Sequence, residues 1–172
     1  MISKKEKILN TALELFASEG YTAVSTRRIA EKAGVSEGLI FRHYKSKKGL
    51  LDAIKVQAGE RTINLFAPII LQADPKKAIR MAISLPFEIP AKEYPFWKLL
   101  FKLKWETDYS EDNKMQPLIN KLSWSFSQLD YKSPKKEAEI LSHIIEGIST
   151  TILRDGKEAQ MSLKQFLIRK YG

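Results

Sequence analysis

Three residues between positions 38 and 47 suit contact with a nucleic-acid duplex. Arg42 can donate two hydrogen bonds to a guanine edge, and Lys47 carries a positive charge suited to a phosphate. Gly38 stands where a helix is expected to begin, and a glycine inside a helix costs about 1 kcal/mol relative to alanine. Without a side chain, it lets the helix backbone approach a phosphate or a base edge. Taken alone, Gly38 is better explained as a loop residue and Arg42 as a solvated charge.

The surrounding elements favour the DNA interpretation. Ser25 or Thr26 is expected to cap a helix that runs to about Ala33, Gly34 to close it, and Ser36 to cap a second short helix. Two short helices joined by such a turn form a helix-turn-helix, whose second helix enters the major groove of DNA. The positions expected to form its shared inner face are Ile29, Ala30, Ala33, Val35, Ile40 and Tyr44. The positions expected to point outward are Gly38, Leu39, Arg42 and His43.

Charge and composition support the same partner and disfavour others. The chain has 172 residues and a net charge of +9, and residues 1–55 hold eleven Lys or Arg against six acids. A solvated lysine-rich surface remains an alternative on charge alone. There is no cysteine and there are two histidines, so no thiolate or metal cluster is expected, and no catalytic motif is found. We expect no enzyme activity, no cofactor, no secretory signal and no membrane span, and therefore a cytoplasmic protein.

The rest of the chain predicts an all-α fold of about nine helices. Apolar residues recur at helical spacing over 4–19, and a fourth helix is expected from near Ser46 toward Leu65. Asp74 before Pro75 and Ser133 before Pro134 mark two later helix starts. Polar breaks fall at 109–114 and 154–157, and the last helix ends at Tyr171. We predict a three-helix DNA-binding head over 1–46, with the motif at about 25–44, and a helical regulatory and dimerisation body over 47–172.

Residues 8–54 resemble the N-terminal DNA-binding domain of the TetR/AcrR family of bacterial transcriptional regulators. The most specific part of the resemblance consists of Ala33, Gly34, Val35, Ser36, Gly38, Phe41, His43, Tyr44 and Lys47. The resemblance implies phosphate contacts from Thr26, Ser36, Phe41, His43 and Lys47. It implies base-edge contacts from Arg28, Glu37, Gly38, Leu39 and Arg42. The family usually has threonine at the position of Leu39 and tyrosine at that of Phe41, so these two contacts depart from the family pattern.

Aromatic residues in the body predict a pocket for a small ligand. In the resembled family the body often encloses an apolar ligand site, and aromatic walls with few polar groups suit such a site. A helix that is apolar on two sides is buried on two sides, so the alternative is that these aromatics are simply core. The predicted ligand-binding residues are Phe87, Trp97, Phe101, Trp105 and Trp124.

The last two helices carry apolar stripes that predict a dimer interface. In the resembled family the final two helices of each subunit pair into a four-helix bundle, and Gly147 and Thr151 are small enough for close helix approach. A single chain could instead bury the same stripes internally. The predicted interface residues are Leu141, Ile144, Ile145, Ile148, Ile152, Leu163, Phe166 and Leu167.

Together these features predict a DNA-binding transcriptional regulator. We expect a repressor that binds a palindromic double-stranded operator as a homodimer, since the symmetry of the protein is copied by its site. A small apolar or amphipathic inducer is expected to release it. The alternative is a helix-turn-helix protein that binds DNA without any ligand.

Overall fold

A computed structural model describes residues 2–106 and 112–171, with side chains described for 2–103 and 115–171. Within these ranges the chain contains nine α-helices and no strand, which confirms the predicted all-α class. Two short 3-10 turns lie at Ala91–Glu93 and Glu158–Gln160. The helices are α1 (Lys4–Glu19), α2 (Thr26–Ala33), α3 (Glu37–Tyr44), α4 (Lys47–Ile70), α5 (Pro75–Glu88), α6 (Tyr94–Glu106), α7 (Asp112–Gln128), α8 (Pro134–Asp155) and α9 (Met161–Tyr171).

Helix starts follow the predicted caps in two cases and depart from them in two others. Ser25 accepts a hydrogen bond from the backbone N–H of Arg28, and Asp74 accepts one from Lys77 ahead of Pro75. Ser36 and Ser133 stand at the N-cap positions of α3 and α8, but neither side chain makes a capping hydrogen bond. Ser36 and Ser133 therefore occupy the predicted N-cap positions, but the prediction that their side chains cap the helices is wrong.

The predicted polar break at 109–114 falls partly outside the described residues, because 107–111 are not described and α7 begins at Asp112. Helix α4 extends further than predicted, to Ile70 instead of about 65. Its apolar spacing continues beyond residue 65, where Phe66 and Ile69 are buried. Pro68 lies in its last turn, on an exposed position. None of the described helices is long and apolar enough to cross a bilayer.

The chain divides into two compact units. The first comprises Met1–Arg61 and Lys92–Tyr109, and the second comprises Thr62–Ala91 and Ser110–Gly172. The predicted boundary between residues 46 and 47 stays a prediction.

The first unit contains the predicted helix-turn-helix and also α6. Helix α1 packs against α2, α3 and α6. Leu99 and Leu103 of α6 are almost fully buried. The ammonium of Lys102 donates a hydrogen bond to the carbonyl of Ala17, 2.9 Å away, in the last turn of α1. A cation at that end satisfies a carbonyl that the helix itself leaves unpaired.

The second unit is built on α7 and α8, with α5 packed against both and α9 against α5. Its core includes Ile79, Ile83, Leu122 and Leu141, each fully buried. Phe126 contacts the rings of Tyr131 and Tyr171 edge-on, at centroid distances of 4.8 and 5.6 Å. These aromatic pairs hold the end of α9 against α7.

Candidate nucleic-acid interface

The turn between α2 and α3 has the geometry that the sequence predicts. Gly34 adopts a left-handed conformation, with φ of 64°, which favours glycine because it has no Cβ. Its N–H donates to the carbonyls of Ala30 and Glu31, and the N–H of Val35 donates to Ala30 at 3.0 Å. These bonds close α2 and direct the chain into α3, as a helix-turn-helix requires.

The inner face of the motif is confirmed. Ile29, Ala33 and Ile40 are fully buried, and Ala30 and Tyr44 are nearly so. Val35, predicted to fill the turn, is half-buried. The face is anchored to α1 by the Tyr44 hydroxyl, which donates to the carbonyl of Lys5 at 2.8 Å. The core of the first unit thus fixes which side of α3 points outward.

We expect the free energy of unfolding to fall at alkaline pH because the Tyr44 hydroxyl ionises there. Burial, together with the nearby charge of Glu6, raises the pKa of Tyr44 above its ordinary value of 10.0. Its contribution to stability is therefore complete below about pH 10 and is lost as pH rises through the folded-state pKa. Urea unfolding between pH 8 and 11 measures this. Tyr44→Phe should cost about 1 kcal/mol near neutral pH and reduce the alkaline loss. An alkaline loss as steep in Tyr44→Phe as in the wild type would contradict the assignment.

The opposite side of α3 is open. Gly38, Phe41 and Arg42 are exposed, and Leu39 and His43 are half-buried. A Cβ built on Gly38 meets no atom of the described residues within 4 Å, so nothing in the described part of the chain requires a glycine there. Phe41 is 45% exposed, although large aromatic side chains are usually covered. The glycine and the exposed aromatic are both explained by a partner that approaches this side.

Within the described residues, four of the predicted DNA-contacting side chains have partners. The Thr26 hydroxyl donates to a carboxylate oxygen of Glu37 at 2.6 Å, joining the first residues of α2 and α3. The ammonium of Lys47 donates to the carbonyl of Thr22 at 3.2 Å and lies 4.5 Å from the centre of the Tyr21 ring. Burial lowers the pKa of Lys47. Thr26, Glu37 and Lys47 therefore each have a contact within the chain that a DNA contact would add to or replace.

The fourth of these side chains is Arg28, whose guanidinium contacts the carboxylate of Glu19 at 2.8 Å. Sequence reasoning missed Glu19, because it lies nine residues away at the end of α1 and shares no helix with Arg28. The one feature of the sequence that points to Glu19 is its position. It is an acid in the last turn of α1, where no basic residue balances its charge.

A groove of about 580 Å³ runs along the turn. It brings Lys4, at the start of α1, beside Ser36 and Leu39, two of the predicted DNA contacts. The remaining lining residues are Ala30, Glu31, Gly34 and Val35. Sequence reasoning did not place Lys4 near the motif, because their proximity depends on the packing of α1 on α2 and α3.

The predicted ligand-binding aromatics are distributed over both units. In the first unit, Trp97 is 9% exposed and its indole N–H donates to Glu93 at 3.4 Å, while Phe101 is half-buried. In the second, Phe87 is buried, and Trp124 is 39% exposed with the Lys121 ammonium 3.7 Å from its ring centre. The side chain of Trp105 lies outside the described residues. A ligand site formed by these residues stays a prediction.

The predicted dimer residues fall into two groups. Five of them are buried within their own chain, which is the alternative that the stripe pattern left open, so they have little surface to offer a partner: Leu141, Ile145, Ile148, Ile152 and Leu167. Ile144 is half-buried, and Leu163 and Phe166 are 37% and 53% exposed. Two further exposed apolar residues on the same helices, Ile140 and Met161, were missed. The helical spacing identifies two apolar sides of α8, but it does not show which side packs against the core of the same chain.

An exposed helix α3 that follows a glycine turn and packs on α1 and α2 has the layout of a helix-turn-helix, and known proteins share this layout. Residues 8–54 match the model of bacterial regulatory proteins of the tetR family. An uncharacterized HTH-type transcriptional regulator of Bacillus subtilis (strain 168), YvkB, is 48% identical over 52 residues, which are 30% of this chain and 28% of YvkB. The chain therefore matches less than a third of that relative's length.

Solved structures extend the likeness in fold over nearly the whole chain. A TetR-like transcriptional regulator from Rhodococcus sp. RHA1 has a TM-score of 0.80 at 20% identity, covering 97% of this chain and 94% of that one. AibR in complex with isovaleryl coenzyme A and operator DNA has a TM-score of 0.74 at 17% identity, covering 98% and 97%. The match to the tetR family thus covers residues 8–54, and the solved structures show that the fold is shared over nearly the whole chain. These similar proteins are transcriptional regulators and not enzymes.

Proposed function

We propose that this chain is a transcriptional repressor that binds a palindromic operator as a homodimer and is released by a small ligand. The observation that carries the DNA-binding part is the open side of α3, where Gly38 and Arg42 are exposed on a helix whose other side is fixed in the core. A dimer with two such helices would enter successive major grooves, so the operator should consist of two inverted half-sites.

Selection of bound duplexes from a random-sequence pool tests this function. The expected product is a pair of inverted half-sites with centres about 10 base pairs, or a multiple of the helical turn, apart. Repeating the selection with cell metabolites present asks whether a small molecule releases the protein. A product without symmetry would exclude the palindromic dimer, and no enrichment of any sequence would exclude a sequence-specific regulator. Release by no compound would favour the ligand-independent alternative.

Gly38→Ala should strengthen the fold and weaken DNA binding. Because a Cβ at this position meets none of the described residues within 4 Å, the change should stabilise α3 by about 0.5–1 kcal/mol. Against a duplex the added methyl group should separate backbone and DNA and reduce affinity about tenfold, or about 1.4 kcal/mol. Urea unfolding and operator titration measure the two effects separately. Equal affinity of the variant and the wild type would show that Gly38 does not lie against DNA.

The proposed dimer uses the exposed apolar side of α8 and α9. Ile140 and Phe166 are 50% and 53% exposed, while Gly147 is exposed and has no atom within 4 Å of a built Cβ. An exposed helix side that combines large apolar residues with a small one suits packing against the same helix side of a second copy. The same two helices pair in the resembled family, which supports this choice of interface.

Phe166→Asp should dissociate the dimer. Placing a carboxylate in an apolar interface removes buried area and adds an uncompensated charge, so the dimer should weaken at least about tenfold. Sedimentation at several protein concentrations measures the change. Leu71→Asp is the matched control, because Leu71 is 82% exposed but lies directly after α4 and not on α8 or α9. Equal dissociation in both variants, or in neither, would argue against this interface.

The proposed inducer is small and apolar or amphipathic. Support comes from the aromatic residues Phe87 and Trp97, which are buried in their units, and from AibR, whose solved structure contains an acyl coenzyme A together with operator DNA. Ligand binding to the body would shift α4, change the spacing of the two heads and weaken operator binding. Linkage requires that DNA weaken ligand binding by the same factor. Tryptophan fluorescence titrated with lipophilic compounds, with and without operator, measures both directions.

A further inference from the structure

A carboxylate holds one of the predicted base-reading side chains from outside the helix-turn-helix. Glu19, the last residue of α1, accepts a hydrogen bond from the Nη2 of Arg28 at 2.8 Å. Arg28 lies in the first turn of α2, beyond the connection formed by residues 20–25. The Glu19 side chain is 34% exposed and that of Arg28 57% exposed. The guanidinium is thus bound on one side, while more than half of the Arg28 side chain is exposed.

The position of Glu19 is unfavourable for its own helix. An acid in the last turn lies near the negative end of the helix dipole, and α1 has no basic residue in that turn. Positive charge reaches this end from elsewhere: Lys102 contacts the carbonyl of Ala17, and Arg28 contacts Glu19 itself. The local helix therefore does not account for an acid here, whereas the contact with Arg28 does.

The contact geometry leaves the arginine able to bind DNA. A guanidinium is planar and has five N–H donors, so a bond from Nη2 to one carboxylate oxygen restricts the plane without using the other donors. A side chain that is already ordered loses less conformational freedom when it binds. At the same time, the negative charge of Glu19 offsets the attraction of Arg28 for phosphates. A base-edge hydrogen bond depends on orientation, so it loses less from this offset than a phosphate contact does.

We propose that Glu19 is a positioning residue that raises the sequence specificity of this protein by orienting Arg28 and reducing its attraction to phosphates. The inference rests on the proposed function, in which Arg28 reaches the edges of bases. It predicts that loss of Glu19 lowers discrimination between operator and random DNA, mainly through tighter binding to random DNA.

The test measures the affinity of the full chain for the selected operator and for a random-sequence duplex of the same length. Glu19→Gln keeps the shape of the side chain and removes its charge. We expect the ratio of the two affinities to fall about tenfold, within the range of coupling between contacting side chains. On random DNA, the dependence of affinity on salt should become steeper by up to about one released counterion.

Glu31→Gln is the matched control for net charge. Glu31 forms an exposed ion pair with Arg27 at 3.1 Å, so the substitution makes the same charge change without touching Arg28. The affinity ratio of this variant should equal that of the wild type. In an Arg28→Ala background, Glu19→Gln should cause no further fall in the ratio, because its effect passes through Arg28. An equal fall in Glu31→Gln, or an undiminished one without Arg28, would overturn the proposal.

Glu19→Asp separates reach from charge. It keeps the carboxylate but is one methylene shorter, so it should lower the ratio in the same direction if orientation of Arg28 matters. A ratio unchanged in both Glu19→Gln and Glu19→Asp would also overturn the proposal. The unfolding free energy of each variant is measured alongside, and changes within about 1 kcal/mol are expected for an exposed pair. Failure of the proposed function shows itself differently, because the wild type would then bind operator and random DNA equally.

Discussion

Gly49→Ala is expected to destabilise the first unit by about 3 kcal/mol, at the upper end of the cost of inserting a methyl group into a packed site. Gly49 is the third residue of α4, and a Cβ built on it would overlap the carbonyl oxygen of Tyr44. The clash is with backbone, which cannot rotate away as a flexible side chain can.

The turn between α3 and α4 has little freedom to relieve this clash. The N–H of Ser46 donates to the Tyr44 carbonyl at 2.8 Å, and the Ser46 hydroxyl accepts from the Gly49 N–H at 3.0 Å. Lys45 already has a positive φ of 67°, which is unfavourable for a residue other than glycine. Moving the Tyr44 carbonyl would therefore disturb the end of α3, which carries the buried Tyr44 ring.

Urea unfolding measures the effect of Gly49→Ala, and Gly38→Ala is its matched control. Both glycines lie in the first turn of a helix, so helix propensity alone predicts a gain of stability for both. The structure predicts opposite signs, since a Cβ is blocked at Gly49 and unobstructed at Gly38. Equal stabilisation in the two variants would show that the close approach of α4 to Tyr44 is not maintained in solution.

Arg42→Ala is expected to weaken operator binding by about 1–3 kcal/mol and to relax the preference at one base pair. Arg42 is exposed on the same side of α3 as Gly38, one turn further along. A bidentate contact from a guanidinium to a guanine edge would be lost, whereas binding to random DNA would change much less. Titration of the selected operator and of its single-base variants measures both the loss and its sequence dependence.

Lys47→Ala provides the comparison for Arg42→Ala. A phosphate contact carries no sequence information, so this change should weaken binding to all duplexes alike and reduce the salt slope by about one. Lys47 also contacts the Thr22 carbonyl and the Tyr21 ring. The unfolding free energy of the Lys47→Ala variant must therefore be measured as well, to separate a loss of stability from a loss of DNA contact. If Arg42→Ala weakened every sequence equally, Arg42 would be a phosphate contact and its assignment to a base edge wrong.

The structure of the head, residues 1–46, could be predicted from sequence in more detail than that of the rest of the chain. Its helix bounds, the left-handed Gly34 and the buried side of α3 follow from local patterns, because caps, glycines and helical spacing act within a few residues. The glycines of α3 and α4 show what local patterns cannot predict. Gly38 and Gly49 have similar sequence contexts, and only the three-dimensional approach of Tyr44 to α4 distinguishes them.

Contacts between helices could not be predicted from local sequence patterns. The pair of Glu19 with Arg28 and the bond from Thr26 to Glu37 join residues of different helices, and they depend on how α1, α2 and α3 pack. On α8, helical spacing identifies Ile144 and Ile145 as apolar neighbours, but only packing shows that Ile145 is core and Ile144 half-buried. Side-chain type and spacing locate an element, whereas its neighbours decide which side it buries.

The anchoring of α6 on α1 has a consequence for protein engineering. Lys102 and the buried Leu99 and Leu103 belong to the same compact unit as α1, although they follow it by some eighty positions in the chain. A fragment of residues 2–61 fused to a foreign domain would lack α6 and leave part of α1 uncovered. Chimaeric switches made from this protein should therefore transplant residues 92–106 together with residues 2–61.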